Sequence, residues 1–202
     1  MRRLLFMFGI LSVCMFANAE KVTRIDDFKD VESKFGFESV GNKKSMVTFD
    51  GEYMILSSKK GGYATGTRFP VFAKQNFKIT YEIEFPKLDE DHVFGLIFNY
   101  SEDDENGIGT GDCLYITENK FYICDAEGNK LGKAQKIKLK KGKNVKLTIV
   151  VERKGRKTNI SINGVDFEDV DLPIKTSYMG FCVNEKNTLK VDKIIIEQDI
   201  EE

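Results

Sequence analysis

Four groups of residues in this 202-residue chain have types and spacings that chemistry can use. Glu82 and Glu84 stand two apart inside the alternating run Phe77, Ile79, Tyr81, Ile83, Phe85. On a strand both carboxylates leave the same face, as the acid and the nucleophile of a retaining glycosidase must. The plain alternative is a solvated outer face. Around Asn106-Gly107 lie Glu102, Asp103, Asp104, Glu105 and Asp112. These are hard oxygen ligands of the kind Ca²⁺ prefers, with Asp103, Asp104 and Asp112 as its candidate ligands, although the fixed spacing of an EF-hand is absent. A charge run of this sort is otherwise solvated surface.

The third and fourth groups share one hairpin. A two-residue turn at Glu118-Asn119 pairs Ile116 with Phe121, Leu114 with Ile123 and Cys113 with Cys124. Directly opposed cysteines are near enough for a disulfide, and buried free thiols are the equal alternative. The same register turns Tyr115 and Tyr122 to the outer face, opposite each other. By similar alternation Asn99, Glu82 and Glu84 are expected on that face of neighbouring strands. Flat aromatic rings beside amides and carboxylates suit a sugar surface, whereas a cross-strand tyrosine pair also simply stabilises a sheet. The chain has no tryptophan and a single histidine, His92. One histidine excludes a multi-histidine metal site, and no glycine loop that cradles phosphate is present.

The elements that must position these groups are strands. Val145, Leu147, Ile149 and Val151 alternate, and alternation resumes at Ile160 and Ile162 after Lys154-Gly155. A turn centred on Lys154-Gly155 sets Ile149 opposite Ile160, and Asn163-Gly164 supplies the positive-φ pair of a type I′ turn. Residues 46–56 read as a hairpin around Asp50-Gly51 with Val47, Phe49, Tyr53 and Ile55 apolar. Residues 93–100 are apolar on both faces, as a central strand is. Residues 133–143 alternate Ile137 and Leu139 among lysines, an edge strand guarded by charge. Tyr178 to Val183 and Leu189 to Glu197 supply two more strands. No helical period is sustained anywhere, so the expected architecture is all-β, a two-sheet antiparallel sandwich.

Residues 1–19 stand apart. Arg2-Arg3, an apolar run from Leu4 to Phe16 and then Ala17-Asn18-Ala19 have the order of a secretory signal peptide cleaved between Ala19 and Glu20. A fainter lipobox at Leu11-Ser12-Val13-Cys14 is the rival processing site. The apolar run is shorter than the roughly 20 residues that span a bilayer. Without this segment 29 basic and 32 acidic residues remain, a net charge of −3. That balance argues against nucleic acid and against anionic membrane as partners.

The order of parts resembles the concanavalin A-like lectin/glucanase jelly roll, especially its laminin-G-like branch. The matching pieces are the Phe49-Asp50-Gly51 hairpin, Asn76-Phe77-Lys78-Ile79, Phe94-Gly95-Leu96-Ile97-Phe98 and Leu114-Tyr115-Ile116. Ile162-Asn163-Gly164, Met179-Gly180-Phe181 and Val191-Asp192-Lys193-Ile194 continue the series to residue 202. The resemblance implies one jelly-roll domain over residues 20–202. In its β-glucan-cutting members a third carboxylate follows the alternating pair, but here Phe85-Pro86-Lys87 follows Glu84. In its laminin-G-like members a rim loop often holds Ca²⁺. The expectation is therefore an exported, non-catalytic module in a bacterial envelope that binds carbohydrate or adheres. A glycosidase with an altered acidic motif, or a domain that binds an envelope protein, are the rivals.

Overall fold

The structure, a computed structural model, describes residues 20–200 apart from 31, 42–44, 89–92, 102–109 and 141. Its regular elements are all strands. β1 (Glu20–Asp26), β2 (Val40–Gly41), β3 (Ser45–Phe49), β4 (Met54–Ser58) and β5 (Tyr63–Arg68) precede the long β6 (Phe77–Leu88). Then come β7 (Phe94–Ser101), β8 (Thr110–Ile116), β9 (Lys120–Cys124) and β10 (Lys130–Lys136). β11 (Gly142–Lys154), β12 (Lys157–Ile162), β13 (Val165–Val170), β14 (Tyr178–Val183) and β15 (Asn187–Ile200) complete the chain's order.

Two antiparallel sheets result. One has the order β13-β12-β11-β6-β15-β4-β3-β2, with β1 also on β15; the other runs β10-β9-β8-β7-β14-β5. β15 is long enough to take β4 along its first half and β1 along its second, while β6 lines its other side. The two-sheet antiparallel sandwich expected from the alternation is present, with the jelly-roll form that the resemblance implies.

The core lies between the sheets. Ile79, Tyr81, Ile83 and Phe85 of β6 point into it from one side, and Phe94, Leu96 and Phe98 of β7 from the other, all essentially buried. Tyr81 meets Phe181 edge-on at 5.8 Å across the layers. Strict alternation fails once in β15: a bulge between Val191 and Lys193 lets Leu189, Val191, Ile194 and Ile196 all face inward.

Two turns differ from expectation. The β11–β12 turn is Gly155-Arg156, with Gly155 at φ 63°, so Ile149 opposes Ile162 and Val151 opposes Ile160. Glycine alone accepts that φ without cost at the first turn position, which moves the register by two residues and leaves the inward faces unchanged. Between β3 and β4 the loop has four residues, because the Asp50 carboxylate accepts hydrogen bonds from the Glu52 and Tyr53 amides at 3.0 and 2.8 Å. Phe49 then pairs with Met54, and Met54 and Leu56, not Tyr53 and Ile55, enter the core. The Asn163-Gly164 turn is as expected, with φ of 50° and 79°.

Candidate functional site

The β8–β9 hairpin has the expected register throughout: Cys113 to Cys124, Leu114 to Ile123, Tyr115 to Tyr122 and Ile116 to Phe121. Its turn is closed locally. The Thr117 amide donates to the Lys120 carbonyl at 2.9 Å, and the Thr117 hydroxyl donates to the same carbonyl at 3.0 Å. The turn is also held from outside, since the Ile137 and Leu139 amides donate to the Asn119 and Glu118 carbonyls. With Leu114, Ile116, Phe121 and Ile123 buried, Tyr115 and Tyr122 stack on the outer face, ring centroids 5.3 Å apart and planes 27° apart. Lys130, opposite Cys124 in the ladder, places its ammonium 5.3 Å from the Tyr122 ring.

Beside the stack a groove of about 390 Å³ runs over β7 and β14, lined by Ala64, Ile97, Cys113, Tyr115, Cys182 and Asn184 among others. Gly95 of β7 lies against the Cys113 and Cys182 sulfurs of that lining. A Cβ there would overlap the Cys113 sulfur and lie 2.6 Å from that of Cys182. Lacking one, Gly95 lets the two thiols meet over the strand at 3.4 Å. The three described cysteines, Cys113, Cys124 and Cys182, are free, and the expected bridge between Cys113 and Cys124 is absent. Cys113 instead has its sulfur in contact with that of Cys182, across β7. Burial, then the Cys182 sulfur, pushes the Cys113 thiol well above its ordinary value, and burial does the same to the Tyr115 hydroxyl. The Cys113 thiol and the Tyr115 hydroxyl are therefore uncharged at neutral pH, whereas Asp125 in the same lining, its carboxyl held low first by the Asn129 side chain, is ionised.

The other sequence candidates do not gather here. Glu82 and Glu84 lie on β6, in the opposite sheet, so they cannot share a face with the tyrosines. Parity along one strand does not say which sheet the strand joins. Glu82 pairs with Lys193 at 3.4 Å, and Glu84, largely buried, lies 3.9 Å from Lys146. Asn99 is in the right sheet but adopts φ 55° at a bulge in β7. Its amide NH₂ donates to Asp112 and to the Pro173 carbonyl, and its oxygen accepts from the Lys175 and Thr176 amides at 2.7 and 3.0 Å. No capacity remains for a ligand. Asp112 is accordingly engaged by Asn99. Asp103 and Asp104, like His92 and the segment ending at Ala19, lie outside the described residues.

No local pattern marks the thiol contact, because 69 residues separate Cys113 from Cys182. A second aromatic pocket, between Tyr100, Tyr178, Arg68 and Gly66, also escaped notice. Its signal is alternation: Gly66 and Arg68 oppose Gly180 and Tyr178 in the ladder and so share one face.

No family model and no curated protein matches the chain. Solved structures do. A Bacillus subtilis protein of unknown function with a galectin-like fold superposes with a TM-score of 0.60 at 11% identity, covering 89% of this chain and 96% of that one. The fold is the concanavalin A-like jelly roll. The exoplasmic/lumenal domain of VIP36, in its Ca²⁺/Man3GlcNAc-bound form, matches with a TM-score of 0.54 at 8% identity over 79% of this chain and 83% of its own. The catalytic domain of a Thermotoga petrophila endo-1,3-beta-glucanase matches with a TM-score of 0.52 at 12% identity, over 90% and 99%. A sialidase matches with a TM-score of 0.58 at 14% identity; the jelly roll spans 89% of this chain but only 18% of that enzyme. Such identities establish the fold and not the activity.

Proposed function

We propose that this jelly roll is an exported, non-catalytic carbohydrate-binding module of a bacterial envelope, and that its ligand lies on the outer face of the six-stranded sheet. The observation that carries the reading is the outward Tyr115–Tyr122 stack beside a groove of about 390 Å³. Two stacked, half-buried rings on one hairpin offer an apolar surface of the kind that a pyranose covers. Lectin and glycosidase structures among the fold's neighbours support a sugar as ligand. The lysine partners of Glu82 and Glu84, and their place in the other sheet, support binding without hydrolysis. Export rests on the basic, apolar and small-residue order of residues 1–19. A glycan array run beside a chromogenic glycosidase panel tests the reading. Tyr115→Ala and Tyr122→Ala should each weaken a glycan hit by roughly 1–3 kcal/mol with the melting temperature retained. Unchanged affinity in both variants would refute it.

A further inference from the structure

The chain's net charge of −1 conceals a strong asymmetry. Eight lysines and no acid stand between Lys130 and Lys146, which leaves 23 basic residues to face all 32 acids elsewhere. Lys130, Lys133, Lys136, Lys138, Lys140 and Lys143 are exposed, and none forms a salt bridge with a described residue. β10 is an edge strand, and lysines commonly guard edges against pairing. That accounts for Lys133 and Lys136. It does not account for the row's continuation past the strand, nor for where Lys120 sits.

Lys136 lies directly opposite Lys120, and Lys130 opposite Cys124. Lys120, Tyr122 and Cys124 alternate to the same outer face of β9, so Lys120, Lys130 and Lys136 share the face of the stacked rings, and the Lys130 ammonium lies 5.3 Å from the Tyr122 ring. Like charges facing each other across a ladder are unfavourable, and no described acid forms an ion pair with Lys120, Lys130 or Lys136. Asp125, in the turn between β9 and β10, directs its carboxylate into Asn129 at 2.7 and 3.1 Å. The free protein thus holds a repulsive cluster of cations that a bound anion would relieve.

We propose that this face takes an acidic polysaccharide, its rings on Tyr115 and Tyr122 and its anionic groups on Lys120, Lys130 and Lys136, with the lysines through Lys143 following the polymer past the sheet edge. The inference rests on the carbohydrate-binding reading and narrows it to a ligand class. Nucleic acid offers similar charge and stacking, but the fold's lectin neighbours favour sugar.

Calorimetry with polygalacturonate, heparin, carboxyl-reduced polygalacturonate, a short DNA duplex and phosphatidylglycerol vesicles tests it, in about 0.05 M and about 0.5 M salt. The acidic polysaccharides should bind at least about tenfold more tightly than the reduced polymer in low salt, and salt should narrow the gap. The Lys120→Gln/Lys130→Gln/Lys136→Gln variant should lose the gap and melt no lower than the parent. Equal binding of reduced and acidic polymers, unchanged in that variant, overturns the inference and leaves the carbohydrate reading standing. DNA or vesicles bound as tightly as the polysaccharides overturns it too. Binding to none of the polysaccharides overturns the inference, and the carbohydrate reading is then decided by the glycan array.

Discussion

Asn99 uses every hydrogen-bonding position of its amide inside the protein and ties β7 and Asp112 to residues 173–176. Asn99→Ala should leave two backbone amides and a carbonyl without their partner and so cost about 2–4 kcal/mol in chemical denaturation. A ligand residue on an exposed face would cost far less stability, so a loss below about 0.5 kcal/mol would return Asn99 to the ligand face. Glu82→Gln and Glu84→Gln should leave glycan binding at Tyr115 and Tyr122 unchanged, because a whole core separates the two outer faces. A loss of binding in either, with folding intact, would place the ligand on the other sheet. At this scale the sequence was legible where the neighbours in space were neighbours in the chain. Tyr115 and Tyr122 are seven residues apart, and a two-residue turn sets them opposite each other, as expected. Asn99 is held by residues 173–176, in the connection between β13 and β14, and Glu82 by Lys193 of β15, partners far along the chain that side-chain parity cannot name.

Strand β14 approaches β5 so closely that a Cβ on Gly180 would collide with the Thr65 carbonyl and lie 2.6 Å from the Gly66 Cα. Both obstacles are backbone, so Gly180→Ala must push β5 away from the sheet. The expected cost is roughly 1–3 kcal/mol or more in thermal or denaturant unfolding, and an unchanged midpoint would show that the edge strand yields freely. β1 is fastened to β15 and β6 by charge as well as by its ladder: Glu197 meets Lys78 at 2.8 Å and Lys21 at 2.9 Å. The Lys78 and Lys21 ammonium groups hold the Glu197 carboxyl below the usual carboxylate value. Its contribution is therefore present above the unfolded-state value and is lost as pH falls through the folded one. Glu197→Gln should destabilise at pH 7 by less than about 1 kcal/mol, since the group is largely solvated, and the difference from the parent should vanish below about pH 3. A gap that persists in acid would assign the loss to packing. Elements were readable from period two wherever alternation is unbroken, as in β6. They were misread by a residue or two where an Asp50 side chain built a wider loop or where Gly155 moved the turn after β11.

At the scale of the molecule, the nine-stranded sheet is organised about two strands. β6 is paired with β11 along one side and with β15 along the other, and β15 in turn joins β4 and β1. None of these long-range pairings could be read from the sequence, because hairpin rules act only between adjacent segments. The pairing of Glu20 with Ile200 has no local signal at all. Loop closure over such distances must come before the contacts that reward it, so folding should wait for β15. Amide exchange reads out the resulting hierarchy. The amides of Ile79, Tyr81 and Ile83 sit mid-strand, with ladders on both sides and buried side chains, and they should exchange only through global unfolding. Edge strands β2, β10 and β13 have one partner each and should exchange through local opening, at least about a hundredfold faster at residues such as Lys133 and Glu168. Cutting the chain after Asn184 removes β15 and with it one ladder of β6 and the only partner of β1. That fragment should lose the cooperative transition altogether. A sharp melting transition in the fragment, or protection in β10 equal to that in β6, would mean that the six-stranded sheet, and not the β6–β15 pair, is the stable unit.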